Sequence, residues 1–370
     1  MIILDVIYYA FIAIVSIQVI YYTLIFSRFS FLKTQNTAPK TFPVSVIICA
    51  KNEAENLKQF LPSVINQNYP DFEIVLINDA SKDDTLDVIE HFANTNNNIK
   101  IVNVKNVEAF WGNKKYALTL GIKASKHDYL LFTDADCKPV SNNWIQEMTA
   151  HFNENTQIVL GYGAYKRIKK SFLNKLIRFE TLITAIQYFS FEKIGIPYMG
   201  VGRNLAYTKA AFFKANGFIN HIKVRSGDDD LFVNQVATKK NTAICFTKES
   251  FTKSVPKTSF KAWFKQKRRH ISTAKHYKII HKILLALIYT CTLLFWVLST
   301  VLFAITYNWQ IVLALFLIRL IIMYFVYGAS AKKLLENDII FLLPVLEVFL
   351  ITMQLTIFIN NLISKPNHWK

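Results

Sequence analysis

The chain has 370 residues, 52% of them hydrophobic, and a formal net charge of +18 at pH 7. That length suits a catalytic domain of about 200 residues with further elements rather than one small domain. Being both so apolar and so basic excludes an ordinary soluble enzyme, and leaves nucleic acid or an anionic membrane surface as the partner for the charge.

Long apolar runs decide for the membrane. Four stretches can span a bilayer core of roughly 30 Å: Met1–Ser27, Leu284–Ile305, Gln310–Gly328 and Ile339–Ile363. The first has neither a basic start nor a small-residue cleavage site, so it reads as an uncleaved anchor rather than a signal. Arg28, Lys33 and Lys40 follow it, a basic run precedes the second span, and Lys332 with Lys333 follows the third. All three groups fall on one side if the large central region is cytoplasmic. The scattered Cys49, Cys137, Cys245 and Cys291 form no C-x-x-C pair and read as core residues of a reducing compartment.

The central region, residues 41–250, has the pattern of an α/β domain. Val44–Ala50, Glu73–Asn78, Ile101–Val104 and Tyr129–Thr133 read as buried parallel strands, with helices over Glu55–Asn66 and Thr85–Asn94 between the first three. Such alternation predicts right-handed crossovers and a mostly parallel sheet flanked by helices. Ligands then bind beyond the carboxyl ends of the strands. His91–Lys100 reads as a surface loop, and Asn174–Lys193 as an unusually apolar helix suited to touching the membrane or the acceptor, though core packing is the simpler role.

Acidic residues sit at those strand ends. The first strand leads into Lys51-Asn52-Glu53. The second leads into Asn78-Asp79-Ala80-Ser81, where Asp79 can accept from a nucleobase or ribose and Ser81 or Asp84 can cap the next helix. Taken alone, that cluster fits turn and capping chemistry better. The fourth strand ends in Asp134-Ala135-Asp136, two carboxylates able to share one hard cation, Mg²⁺ or Mn²⁺. Gly227-Asp228-Asp229-Asp230 follows far downstream. Three adjacent carboxylates repel one another, so the cluster needs solvent, cations or a task, and a general base is the better reading.

Residues 257–282 place Phe260, Trp263, Phe264, Ile271 and Ala274 near one helical face among many cations, the pattern of a helix lying in the membrane interface. Within it, Gln266-Lys267-Arg268-Arg269-His270 presents positive charge suited to a diphosphate or to lipid headgroups.

In this order the motifs resemble the membrane-integrated branch of the family 2 glycosyltransferases, inverting enzymes of the GT-A fold. The resemblance runs from Pro43 to about His276. It implies donor contacts from Glu53, Asp79, Lys114 (with Ala117 and Leu118), Asp134, Gln266 and Arg269. It implies a metal held mainly by Asp136 with Asp134, an acceptor-side loop at Gly202 and Asn204, and Asp229 as catalytic base. His270, also implied on the acceptor side, stands where the family usually has tryptophan, which lowers the expectation of processive synthesis.

The resemblance further implies a nucleotide-sugar donor, uridine-based, and a lipid or lipid-linked acceptor. The competing readings are a processive polysaccharide synthase, a non-catalytic scaffold, and a nucleic-acid binder. The last is disfavoured because the basic residues gather beside the apolar spans. Arg319 and Glu347 lie inside the third and fourth spans at matching depths of roughly 12–14 Å, which predicts an ion pair.

Overall fold

The computed structural model describes residues 2–34, 40–105, 114–224 and 226–364. The chain divides into two compact units. One, called the catalytic unit below because it holds the acidic strand ends, comprises Thr34–Arg167 and Gly195–Lys257. The other is helical and takes the stretch up to Lys33, Ile168–Ile194, and the chain from Thr258 through the last span.

Among the described residues the catalytic unit contains ten strands: β1 Val44–Ala50, β2 Phe72–Asp79, β3 Ile99–Val104, β4 Tyr129–Asp134, β5 Cys137–Pro139, β6 Ile158–Leu160, β7 Gly163–Tyr165, β8 Leu205–Thr208, β9 Thr242–Ile244 and β10 Thr252–Ser254. Seven form one sheet in the order β3-β2-β1-β4-β8-β6-β9, and three form a second in the order β5-β10-β7. The first four strands run parallel, while β8 pairs antiparallel with both β4 and β6. β1 is buried along almost its whole length, as a central strand covered on both faces must be. The helix Ala54–Ile65 covers it with Leu57, Phe60, Leu61 and Val64, spaced to share one face.

The expected strands and helices are present with ends shifted by a residue or two. The expected loop His91–Lys100 is shorter than that, because the helix Thr85–Thr95 continues and β3 already begins at Ile99.

The helical unit holds four helical stretches long and apolar enough to cross a membrane: Ile2–Ser30, Ile279–Ala304, Trp309–Lys333 and Asn337–Ile363. A π-helical turn, Tyr21–Phe26, interrupts the first. The helix Phe172–Lys193 groups with this unit, although it lies inside the stretch 41–250 that the sequence reading gives to the catalytic domain. Ser171 caps it by accepting from the Asn174 N–H at 3.1 Å, and most of its side chains are buried. Arg178 on this helix pairs with Glu336, just before the last apolar stretch, and with Asp338 at its start, at 2.5 Å.

The basic helix spans Phe260–Ile271, followed by a short 3-10 turn, and the second span already starts at Ile279. Its Trp263 is fully buried, whereas Phe260 is 53% exposed, so the apolar face splits between protein and surroundings. The expected Arg319–Glu347 pair is present at 2.7 Å. Arg319 also donates to Gln18 Oε1 at 2.9 Å and to the Tyr22 hydroxyl at 2.8 Å, while Trp296 Nε1 donates to Glu347 at 2.9 Å. Side chains from all four spanning stretches thus meet in one polar cluster.

Candidate active site

Strand register collects the acidic residues. Ala50 pairs with Asn78 across β1 and β2, and Cys49 with Asp134 across β1 and β4, so three strands end level. Their following residues, Glu53, Asp79 and Asp134–Asp136, therefore occupy one edge of the sheet. The turns after β1 and β2 are braced to each other. Asn52, in the left-handed region at φ 55°, accepts from the Lys82 N–H at 2.8 Å, and its own N–H donates to Ser81 Oγ at 3.0 Å. Ser81 is therefore a brace and not a helix cap. Capping falls to Asp83, which accepts from the Thr85 N–H at 3.1 Å, in place of the expected Ser81 or Asp84. Glu53 accepts from the Asn56 amide, and Asp79 is buried with the Lys51 ammonium 3.4 Å away.

Lys114 begins the helix Lys114–Ala124 and joins two acidic segments. Its ammonium lies 2.8 Å from Asp134 and 3.0 Å from Asp228. Burial opposes its charge, but the two carboxylates outweigh that and hold the ammonium protonated well above its usual range. Asp228 is likewise held ionised against burial by Lys114, below the usual carboxylate range.

Asp229 differs from its neighbour. One carboxylate oxygen accepts from the Gly202 N–H at 2.7 Å and the other from the Asp230 N–H at 2.8 Å. Burial, with Asp228 and Asp230 adding like charge, pushes its carboxyl up to about 7. A carboxylate that gains and loses a proton near neutrality suits general-base work. Gly202 is needed for this approach: a Cβ there would lie 3.3 Å from the Asp229 carboxylate oxygen.

Ligand atoms of Asp134, Asp136 and Cys137 lie within 4.8 Å of one another. The Cys137 thiol is buried, 3.0 Å from Ser254 Oγ, and a soft sulfur suits a hard cation poorly, so the two carboxylates are the fitting ligands. Burial and the adjacent Asp134 raise the Asp136 carboxyl, a repulsion that a cation between them relieves. Two hard oxygen ligands fit Mg²⁺ or Mn²⁺.

Lys114, Asp134, Gly202, Asp228 and Asp229 line one cavity. Asn204, expected on the acceptor side, does not join them. It is fully buried, its amide donates to the Tyr162 and Ser250 carbonyls at 3.0 and 2.7 Å, and its oxygen accepts from Trp144 Nε1 at 3.0 Å. With its hydrogen-bonding groups engaged in the core, Asn204 braces the loop that presents Gly202. Gln266, Arg269 and His270 lie on the Phe260–Ile271 helix of the helical unit, where Arg269 Nη2 and His270 Nε2 are 3.4 Å apart.

Two residues were missed from sequence. Asp228 stood in the acidic run but had no separate role until Lys114 was seen to reach it. Arg203 donates to the Ala164 carbonyl at 3.0 Å and to Ser254 Oγ at 3.1 Å, and stacks 4.2 Å from the Tyr165 ring centre. Its charge stabilises Asp136, and a single arginine in a loop, between Gly202 and Asn204, gives no periodic signal to find it by.

Residues 45–215 match the family described as Glycosyl transferase family 2. The chain carries a family 2 glycosyltransferase domain. The chain is 36% identical over 95 residues to the cholesterol galactosyltransferase of Borreliella burgdorferi, a match covering 26% of this chain and 25% of that protein. It is 31% identical over 147 residues to the poly-beta-1,6-N-acetyl-D-glucosamine synthase of Staphylococcus epidermidis, covering 39% and 34%. Both matches therefore span about a third or less of those relatives' lengths. Among solved structures, a mannosyltransferase of Pyrobaculum calidifontis in complex with GDP-Man and Mn²⁺ superposes with a TM-score of 0.60 at 18% identity, covering 90% of this chain and 99% of that one. That likeness establishes a GT-A-like fold for the chain.

Proposed function

We propose that the enzyme transfers a sugar from a uridine diphosphate sugar to a lipid or lipid-linked acceptor at the cytoplasmic face of a membrane, with inversion at the anomeric carbon. The observation that carries this reading is the Asp229 carboxylate, oriented by the Gly202 N–H in the cavity it shares with Lys114 and Asp134.

In this reading the acceptor hydroxyl attacks the anomeric carbon as the bond to the donor diphosphate breaks, and the hydroxyl proton passes to Asp229. A carboxyl near 7 is ionised in a useful fraction at neutral pH and still basic enough to draw the proton as the attacking oxygen grows acidic. Asp134 and Asp136 would hold the divalent cation, which supplies charge neutralisation to the diphosphate. Lys114, already poised beside Asp134, adds a fixed positive charge for the leaving group. Glu53 and Asp79 contribute to nucleotide binding, and Gln266 and Arg269 add further diphosphate contacts by analogy with the family motif.

The lipid acceptor is favoured by the four apolar stretches and the basic helix with its exposed Phe260, and by the relative that acts on cholesterol. The polymer reading draws on the poly-beta-1,6-N-acetyl-D-glucosamine synthase. His270 in place of the stacking tryptophan, and spans that are mostly aliphatic, favour addition of one or a few sugars. The test is release of nucleotide by the purified chain from a panel of nucleotide-sugars with Mn²⁺ or Mg²⁺, with and without lipid extract. Lipid-stimulated release yielding a short, defined glycolipid is expected. Long polymer made from donor alone would overturn the reading and promote the synthase.

A further inference from the structure

Lys115, next to the donor-side Lys114, has no part in the chemistry above, yet it is 1% exposed. Burying an ammonium is unfavourable without strong partners, and the first turn of a helix is the end where a positive charge is least welcome. Methionine or leucine would fill the volume with less penalty. Burial accordingly lowers the Lys115 ammonium to about 8, against the pull of Asp228, Asp230 and Asp229. Lysine at this position therefore does something that an apolar residue cannot.

Its ammonium donates to two backbone carbonyls, His221 at 2.7 Å and Val224 at 2.9 Å. These belong to the segment that leads into Gly227–Asp230. The other parts of that loop are held as well. Gly227 turns at φ +94°, with Leu231 packed where a Cβ would stand. Downstream, the Val233 N–H donates to the Asp229 carbonyl at 3.0 Å, and Asn234 donates to the Tyr198 carbonyl at 2.8 Å. Lys114 takes the Asp228 carboxylate. Two consecutive lysines at one helix start thus hold the loop, one by its side chain and one by its backbone.

We propose that Lys115 is a positioning residue for the transfer step, fixing the His221–Val224 backbone and through it the reach of the Asp229 carboxylate toward the acceptor hydroxyl. The inference rests on the base role proposed for Asp229. Lys115 differs from Lys114 in its contacts: Lys114 pairs with the Asp134 and Asp228 carboxylates, whereas Lys115 donates to the His221 and Val224 carbonyls of the loop.

The experiment uses the full chain in detergent and reads two quantities. One is turnover, as nucleotide release from a uridine diphosphate hexose in the presence of lipid extract. The other is calorimetric binding of uridine diphosphate with Mn²⁺. Lys115→Met is expected to lower kcat about 100-fold, the scale of a base misplaced by about 1 Å, while the dissociation constant stays within about twofold. Lys115→Arg, able to reach both carbonyls, should recover most of the loss. Unchanged kcat in Lys115→Met, or equal losses in binding and turnover, would overturn the proposal. If Lys115→Met does not fold, Lys115→Gln is judged by the same two numbers. Asp229→Asn is run alongside. Lost turnover there with full turnover in Lys115→Met sinks the positioning role alone, whereas full turnover in Asp229→Asn sinks the base reading and the positioning role with it.

Discussion

In the helical unit Arg319 is completely buried and meets Glu347 at 2.7 Å, while in the catalytic unit Asp228, Asp229 and Asp230 stand side by side with Lys114 paired to the first. The first cluster is balanced: one cation, one anion, and neutral donors and acceptors from Gln18, Tyr22 and Trp296 around them. The second carries excess negative charge, and its imbalance shows as the Asp229 carboxyl raised to about 7. Buried charge that serves assembly is neutralised within the chain. Buried charge that serves chemistry is left partly unsatisfied, so that a cation, a donor or an acceptor proton completes it.

This contrast can be broken at either end. The largest effect is expected at the metal pair. Asp136→Asn should remove metal-dependent turnover with the fold intact, since Asp134 alone is a poor site for a hard cation. Full turnover of that variant in chelator-treated buffer would remove the metal from the account. Next in size is the balanced cluster. Arg319→Leu and Glu347→Leu should each destabilise by about 3–5 kcal/mol, read as folded yield in detergent, because each strands the partner's charge. The double variant should recover part of the loss, and strictly additive losses would show that the two residues do not act as a pair.

Gly202→Ala tests the close approach at the base. The new Cβ would stand 3.3 Å from the Asp229 oxygen, so the carboxylate must shift by a few tenths of an ångström. A drop in kcat of roughly 3–10-fold is expected with unchanged nucleotide binding. A variant as fast as the parent would mean that the placement of Asp229 tolerates such a shift.

The contrast also has a signature in stability against pH. Asp229 has a folded-state value of about 7, above the ordinary carboxylate range near 4. Between about pH 4 and 7 the unfolded chain releases this proton while the folded chain keeps it. Stability should therefore fall as pH rises through that window and level off above it. Asp229→Asn should flatten the slope of melting temperature in this interval, and an unchanged slope would place the raised value elsewhere.

Much of this was legible in the sequence because it is written in local runs. β1, β2 and β4 are apolar segments that stop at acidic residues, so both the strands and the edge they line could be read together. Matching depths in adjacent spans were enough to pair Arg319 with Glu347. Their companions Gln18, Tyr22 and Trp296 were not foreseen, since a lone polar residue in an apolar run does not announce its neighbour. Three-residue strands such as β6, β7 and β10 are too short for any period and exist only through distant pairing. The helix Phe172–Lys193 was placed by its position in the chain, whereas its burial is provided by the helical unit. Asn204 followed the family loop by resemblance, but its neighbours Tyr162, Ser250 and Trp144 come from separated segments and make it a core brace.

The central claim, that Asp229 acts on the acceptor and not on the donor, is tested most directly by measuring turnover and nucleotide affinity together for Asp229→Asn. The account predicts that lipid-dependent transfer falls about 10²–10⁴-fold, the usual contribution of a general base, while calorimetric binding of uridine diphosphate with Mn²⁺ matches the parent. Lost nucleotide binding in that variant, or transfer at the parental rate, would contradict it.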